Sequence, residues 1–137
     1  MTPADFLIDT SALARLLLPA QRDNPWLEAA RNGLIAIAPL TELELLYGAR
    51  SRADRDDVQT TLHDAFLPLV VPEGVYDRAD QVQAELTDRG EHRGPGPVDL
   101  LVAASAELAH LNLVHHDHDF DAIRRVTGQL MTWFDLV

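Results

Sequence analysis

"LVHHDHDFDAI", residues 113–123, runs from the end of an apolar stretch directly into three aspartates at alternate positions, Asp117, Asp119 and Asp121. Like charges crowded in this way repel unless water, a cation or a basic partner neutralises them. The apolar "LNLVH" before them (111–115) reads as a strand, and "FDAIRRVTG" after them (120–128) as a short helix. The acids therefore sit where a buried strand gives way to a helix. A second such junction lies at the other end of the chain. In "DFLIDTSALARLLLP" a short apolar run, Phe6 to Ile8, ends at Asp9. Ala12, Leu13, Leu16 and Leu17 then recur at helical spacing until Pro19 stops the pattern.

Strands and helices alternate between these junctions. "NPWLEAARNG" (24–33) is a helix with Pro25 suited to its first turn and Gly33 past its end. "LIAIA" (34–38) is a buried strand, 39–51 a helix with Leu40, Leu43, Leu46 and Tyr47 apolar, and 53–66 an amphipathic helix. "LPLVVP" (67–72) reads as a strand, 74–90 as a helix, and "EHRGPGP" (91–97) as a Gly/Pro-rich loop. Residues 98–110 form a helix apolar on most of its circumference, which places it centrally. "LMTWFDLV" (130–137) is a last strand or tail. This order predicts one α/β domain over 1–137, with a central, mainly parallel sheet of four to five strands flanked by helices. Ligands of such sheets sit outside the carboxyl ends of the strands. Asp9 and Asp117 then arrive at one edge from two different strands.

The composition narrows the class. At 137 residues and 47% hydrophobic, the chain is long enough for one real core. No apolar run approaches the roughly 20 residues that span a bilayer, and the N-terminus lacks the pattern of a signal peptide. No cysteine is present, which excludes disulfides and thiolate metal sites. A soluble cytoplasmic protein is expected. The net charge of −11 runs against the basic footprint of nucleic-acid binders, so the position of the acids matters more than their sum. All 11 basic residues are arginine, each able to grip phosphate or carboxylate with a bidentate fork. Arg50, Arg52, Arg55, Arg89 and Arg93 flank the acidic segments.

Taken singly, each acid has an ordinary reading. Asp9 suits a helix N-cap. Glu44 shares a helical stripe with Leu40, Tyr47, Gly48 and Ser51, whereas Glu42, two residues away, must face elsewhere. Asp99 suits the first turn of its helix. Asp117 and Asp119 suit a solvated loop. A calcium loop is rejected, because its sixth position is Ala122 and its twelfth Gly128. A zinc site on His115, His116 and His118 lacks the helical i, i+4 pair of a metalloprotease. Neither a P-loop nor a G-x-G-x-x-G spacing occurs. Taken together, Asp9, Glu44, Asp99 and Asp117, with Asp119 beside it, make an all-oxygen set suited to magnesium or manganese.

"FLIDTSAL", "ELLYGARS", "VDLLVAASAE" and "LVHHDHDFDAI", in this order and spacing, resemble the PIN domain, specifically the VapC-type toxin ribonucleases of bacterial toxin–antitoxin pairs. The resemblance covers essentially the whole chain. It places the family's four acids on Asp9, Glu44, Asp99 and Asp117, with Asp119 as the accessory acid. It departs at His115, where members often carry Thr, Ser or Asn as a hydrogen-bonding brace. It implies a Mg2+- or Mn2+-dependent endoribonuclease cutting single-stranded or loop RNA. It also implies a homodimer and a VapB-like antitoxin that sends an arginine into the acidic pocket, within a higher toxin–antitoxin assembly. The competing readings are a metal nuclease acting on DNA, a catalytically impaired PIN-fold binding module, and a receiver-like signalling domain. The last wants a downstream lysine, and this chain has none.

Overall fold

The computed structural model describes residues 4–137. Its strands are β1 (Phe6–Ile8), β2 (Ile35–Ile37), β3 (Leu67–Pro68), β4 (Asn112–His115) and β5 (Met131–Trp133). Its helices are α1 (Thr10–Leu16), α2 (Pro25–Arg31), α3 (Pro39–Leu46), α4 (Arg52–Ala65), α5 (Val75–Asp88), α6 (Pro97–Leu108) and α7 (Asp119–Thr127). The five strands form one sheet in the order β3-β2-β1-β4-β5, and every pairing is parallel. The expected α/β architecture is therefore present.

The inner strands are short, continuous apolar runs because helices cover both faces of the sheet. Alternate residues feed two cores. Leu7, Ala36 and Leu113 pack with Val82 and Leu86 of α5, Leu100 of α6, and Phe120 and Ile123 of α7. Ile8, Ile35, Ile37 and Val114 pack on the other face with Leu13 and Leu16 of α1, Leu62 of α4, and Phe134. α6 carries buried Leu100, Val102, Ala103, Ala104 and Ala106, in keeping with its apolar circumference.

The strand order also creates the site. The chain steps outward from β1 to β2 and β3, then returns to lay β4 on the opposite side of β1. Connections leaving β1 and β4 diverge to opposite sides, which opens a crevice at their carboxyl ends. Ile8 pairs with Val114 in register, and the Asp9 N–H donates to the Val114 carbonyl at 2.9 Å.

Several boundaries differ from the sequence reading. β3 is two residues long instead of spanning 67–72. It is an edge strand, and Pro68 and Pro72 cannot donate to a ladder. α3 ends at Leu46, and Ser51 caps α4 by accepting from the Asp54 N–H at 3.1 Å. Ser51 therefore does not share Glu44's face. Only Met131–Trp133 of the last segment is strand. Gly128 closes α7 at φ 67, a left-handed turn that redirects the chain into β5. Among the described residues no helix is long and apolar enough to cross a membrane.

Candidate active site

Asp9 is the N-cap of α1 and is 3% exposed. Its Oδ2 accepts from the Ser11 N–H at 2.9 Å and the Ser11 Oγ at 2.7 Å. The capping role is real, but both bonds fall on one carboxylate oxygen. Ser11 Oγ in turn accepts from the His116 N–H at 2.9 Å. One hydroxyl thus ties the end of β1 to the segment that follows β4. The neighbouring Thr10 Oγ1 donates to Glu44 Oε1 at 2.7 Å and aims α3's carboxylate at the β1 end. Glu42 faces the other way. Its Oε1 pairs with His63 Nε2 at 2.8 Å and accepts from Gln59 Nε2 at 3.1 Å, both on α4.

Asp99 stands in the first turn of α6, where its Oδ2 accepts from the Gly96 N–H at 3.0 Å. Pro97 at the first helical position fits because no intrahelical donor is needed there. Asp117 follows β4. Its Oδ1 accepts from the Asp119 N–H at 2.9 Å, and its own N–H approaches His115 Nδ1 at 3.3 Å. Asp119 begins α7 and is exposed at the rim. Asp121 turns outward to His118, with Nδ1 and Oδ2 3.1 Å apart.

Asp99 reports the electrostatics. Burial, aided by the negative charges of Asp9, Asp117 and Glu44 and opposed by the Gly96 N–H, pushes its carboxyl up to about 6. Acids from β1, α3, α6 and the β4 end therefore share one field. Asp119 stands outside that inner set. Among the described residues no group of three or more His, Asp or Glu side chains is arranged to hold a metal ion. Asp9, Glu44, Asp99 and Asp117 are each tied to a hydroxyl or a backbone N–H. The donor chemistry, oxygen throughout, fits a hard divalent cation.

His115 is 4% exposed, and burial lowers its pKa against the pull of Asp121, Asp9 and Asp117. Its ring packs against Phe120 and Trp133, with centroids 4.9 and 5.7 Å away. It braces the Asp117 turn from below, while the direct hydroxyl contacts to the acids come from Thr10 and Ser11. Sequence reasoning overlooked those two. Their signal was available: two hydroxyl residues immediately follow a strand-end aspartate in "IDTS". Of the flanking arginines, Arg52 is engaged with Asp56 at 2.9 Å. Arg93 lies exposed on the loop before Asp99.

A parallel sheet with aspartates at the ends of its adjacent strands β1 and β4 defines an α/β domain with acidic residues at its switch point. The PIN domain pattern matches residues 6–126, and the chain belongs to that family, in its VapC branch. It is 42% identical over 135 residues to Ribonuclease VapC2 of Mycobacterium tuberculosis, covering 94% of this chain and 92% of that protein. It is 38% identical over 130 residues to Ribonuclease VapC21 of the same organism, covering 93% and 92%. In fold it is similar to VapBC2 from Rickettsia felis bound to a DNA fragment from their promoter, with a TM-score of 0.75, 18% identity and coverage of 95% and 98%. It is also similar to DNA-bound VapBC from Salmonella typhimurium, with a TM-score of 0.66, 22% identity and coverage of 96% and 99%.

Proposed function

We propose that this chain is a Mg2+- or Mn2+-dependent endoribonuclease toxin that hydrolyses single-stranded or loop RNA. The observation that carries the reading is the placing of Asp9 and Asp117 at the ends of paired strands β1 and β4, with Thr10 beside Asp9 holding Glu44. It is supported by the raised carboxyl of Asp99, on which the charges of Asp9, Asp117 and Glu44 act. The substrate class is supported by matched relatives that are named ribonucleases. Asp9, Glu44, Asp99 and Asp117 would hold the cation, with Asp119 as a further ligand from the rim. Such a cation supplies Lewis acidity toward a phosphodiester and makes water a better nucleophile. The chain's own residues do the positioning. Ser11 fixes Asp9, Thr10 orients Glu44, and the Gly96 N–H holds Asp99. The Ser11 hydroxyl, engaged between Asp9 and the His116 N–H, serves to hold the two strand ends together.

The test is cleavage of single-stranded RNA by the purified chain with magnesium, with manganese and in excess chelator. Activity is expected with either metal and absent in chelator; full activity in chelator would sink the metal mechanism. Products should carry 5′-phosphate and 3′-hydroxyl ends, because water attacks and the 2′-hydroxyl takes no part. A 2′,3′-cyclic phosphate, detected by mass spectrometry, would contradict this.

The two α3 glutamates provide an internal control. Glu44→Gln is expected to reduce cleavage by at least about 10-fold, as a lost charge in the field would. Glu42→Gln, directed at α4, should leave the cleavage rate close to parental. The reverse order, read from initial rates, would place the wrong face of α3 in the site.

The same reading includes a homodimer and a VapB-like antitoxin, the latter supported by the VapBC structures of similar fold. Leu43 and Tyr47 are 60% and 91% exposed on either side of Glu44, an apolar hold next to the acids. A guanidinium from the antitoxin would pair with the carboxylates and take the place of the cation. Replacing that arginine by alanine should relieve inhibition while apolar contact preserves association.

A further inference from the structure

On its β5 side the acidic crevice ends in a group of rings that the proposed chemistry leaves unused. The His118 ring stacks on the Trp133 indole with centroids 4.6 Å apart and planes at 21°. His116 lies 4.4 Å from the same indole, tilted by 34°. These rings bracket Asp117 in the chain, and the pairing of His115 with Trp133 brings β5 alongside. The inner members are anchored. His115 is buried, and His116 Nδ1 donates to the Phe134 carbonyl at 2.9 Å, since a carbonyl can only accept. The outermost ring is open, the His118 side chain being 81% exposed, while the Trp133 indole, 37% exposed, lies against both imidazoles and backs the outer one. Among the described residues Trp133 belongs to neither apolar core, and its neighbour Phe134 is the residue that fills the core, at 0% exposure.

An open imidazole stacked on a tryptophan beside the acids has an evident use if the substrate is RNA. Every nucleobase has a π face, and aromatic side chains hold unpaired bases by stacking. That grip does not depend on charge, which matters for a chain of net charge −11 that offers phosphates little general attraction. We infer that His118, backed by the Trp133 indole, forms a stacking platform for the base of a nucleotide next to the scissile phosphate. The inference rests on the ribonuclease reading and adds to it the residues that position the strand.

The experiment has two arms. In the first, Trp26→Phe leaves Trp133 as the sole tryptophan, because the chain has two. Its emission is followed while short single-stranded RNA is added with magnesium, in an Asp99→Asn background to prevent cutting. Quenching by RNA, and its loss with an abasic oligomer of equal length, is expected. In the second arm, steady-state cleavage is compared for Trp133→Leu, Trp133→Phe and His118→Ala. Trp133→Leu should raise KM by at least about 5-fold, the scale of one stacked base, with kcat retained. Trp133→Phe should restore most of the loss, and His118→Ala should weaken binding in the same sense. A purely structural tryptophan would alter melting temperature without sensitivity to a missing base. Parental KM in Trp133→Leu, equal quenching by abasic RNA, or quenching by an arginine-rich peptide alone would overturn the platform. Cleavage without base-dependent quenching would remove the platform and leave the nuclease. Base-dependent quenching without cleavage would do the opposite.

Discussion

Asp99→Asn is expected to reduce RNA cleavage by at least about 10²-fold, the scale set by removing one fixed electrostatic group from a reaction centre. The same substitution should stabilise the metal-free protein at neutral pH. In the folded chain the Asp99 carboxyl is pushed up to about 6, above its ordinary value, by burial and by Asp9, Asp117 and Glu44. Between the unfolded and folded values the native state binds more protons than the unfolded state, so stability falls as pH rises through that window. The contribution is fully present below about pH 4 and has been lost once pH passes the folded value. Asparagine keeps an oxygen to accept from the Gly96 N–H and carries no charge. Allowing for solvent screening of a partly exposed group, its gain at pH 7 is on the order of 1 kcal/mol. That corresponds to a rise in Tm of roughly 2–8 °C. Thermal unfolding in chelator should therefore show a gap between variant and parent at pH 7 that closes near pH 4. An equal gap at both pH values would mean the carboxylates do not share a field. Parental cleavage would remove Asp99 from the site.

Ser11→Ala is the second large effect, and it acts through structure. Ser11 Oγ donates to Asp9 and accepts from the His116 N–H, joining two strand ends with one atom. Alanine leaves that N–H without its partner in a partly buried position, at a cost of about 1–3 kcal/mol. It also frees Asp9 to rotate, although the Ser11 backbone N–H still caps it. Loss of such an orienting contact typically lowers metal affinity or activity by about 10–100-fold. The expected result is a higher magnesium requirement together with a lower Tm, and recovery of both in Ser11→Thr, which retains the hydroxyl. A variant that melts early but cleaves with the parental magnesium dependence would confine Ser11 to stability.

Much of this arrangement is legible in one dimension. An all-parallel sheet covered on both faces demands apolar runs, so Phe6–Ile8, Ile35–Ile37 and Asn112–His115 stand out as strands. A charged residue that ends such a run must lie at the sheet's carboxyl edge. Asp9 and Asp117 were located on that local logic alone, and Asp99 by the Gly/Pro loop that starts α6.

Tertiary structure decided the rest. The stripe of Leu40, Tyr47 and Gly48 favours Glu44 over Glu42, but the partners that hold the two glutamates apart are not readable locally. The division comes from α4, which offers His63 and Gln59 to one face, and from α1, which offers Thr10 to the other. The extent of β3 likewise depended on its place at the sheet edge, where two prolines end the ladder. The bond from His116 to Ser11 spans 105 positions of sequence. It exists because β4 returns to lie against β1, a closure that depends on the apolar helices packing on both faces. Local sequence determines which residues can end a strand or start a helix; which of their side chains meet is set by the packing that brings distant strand ends together.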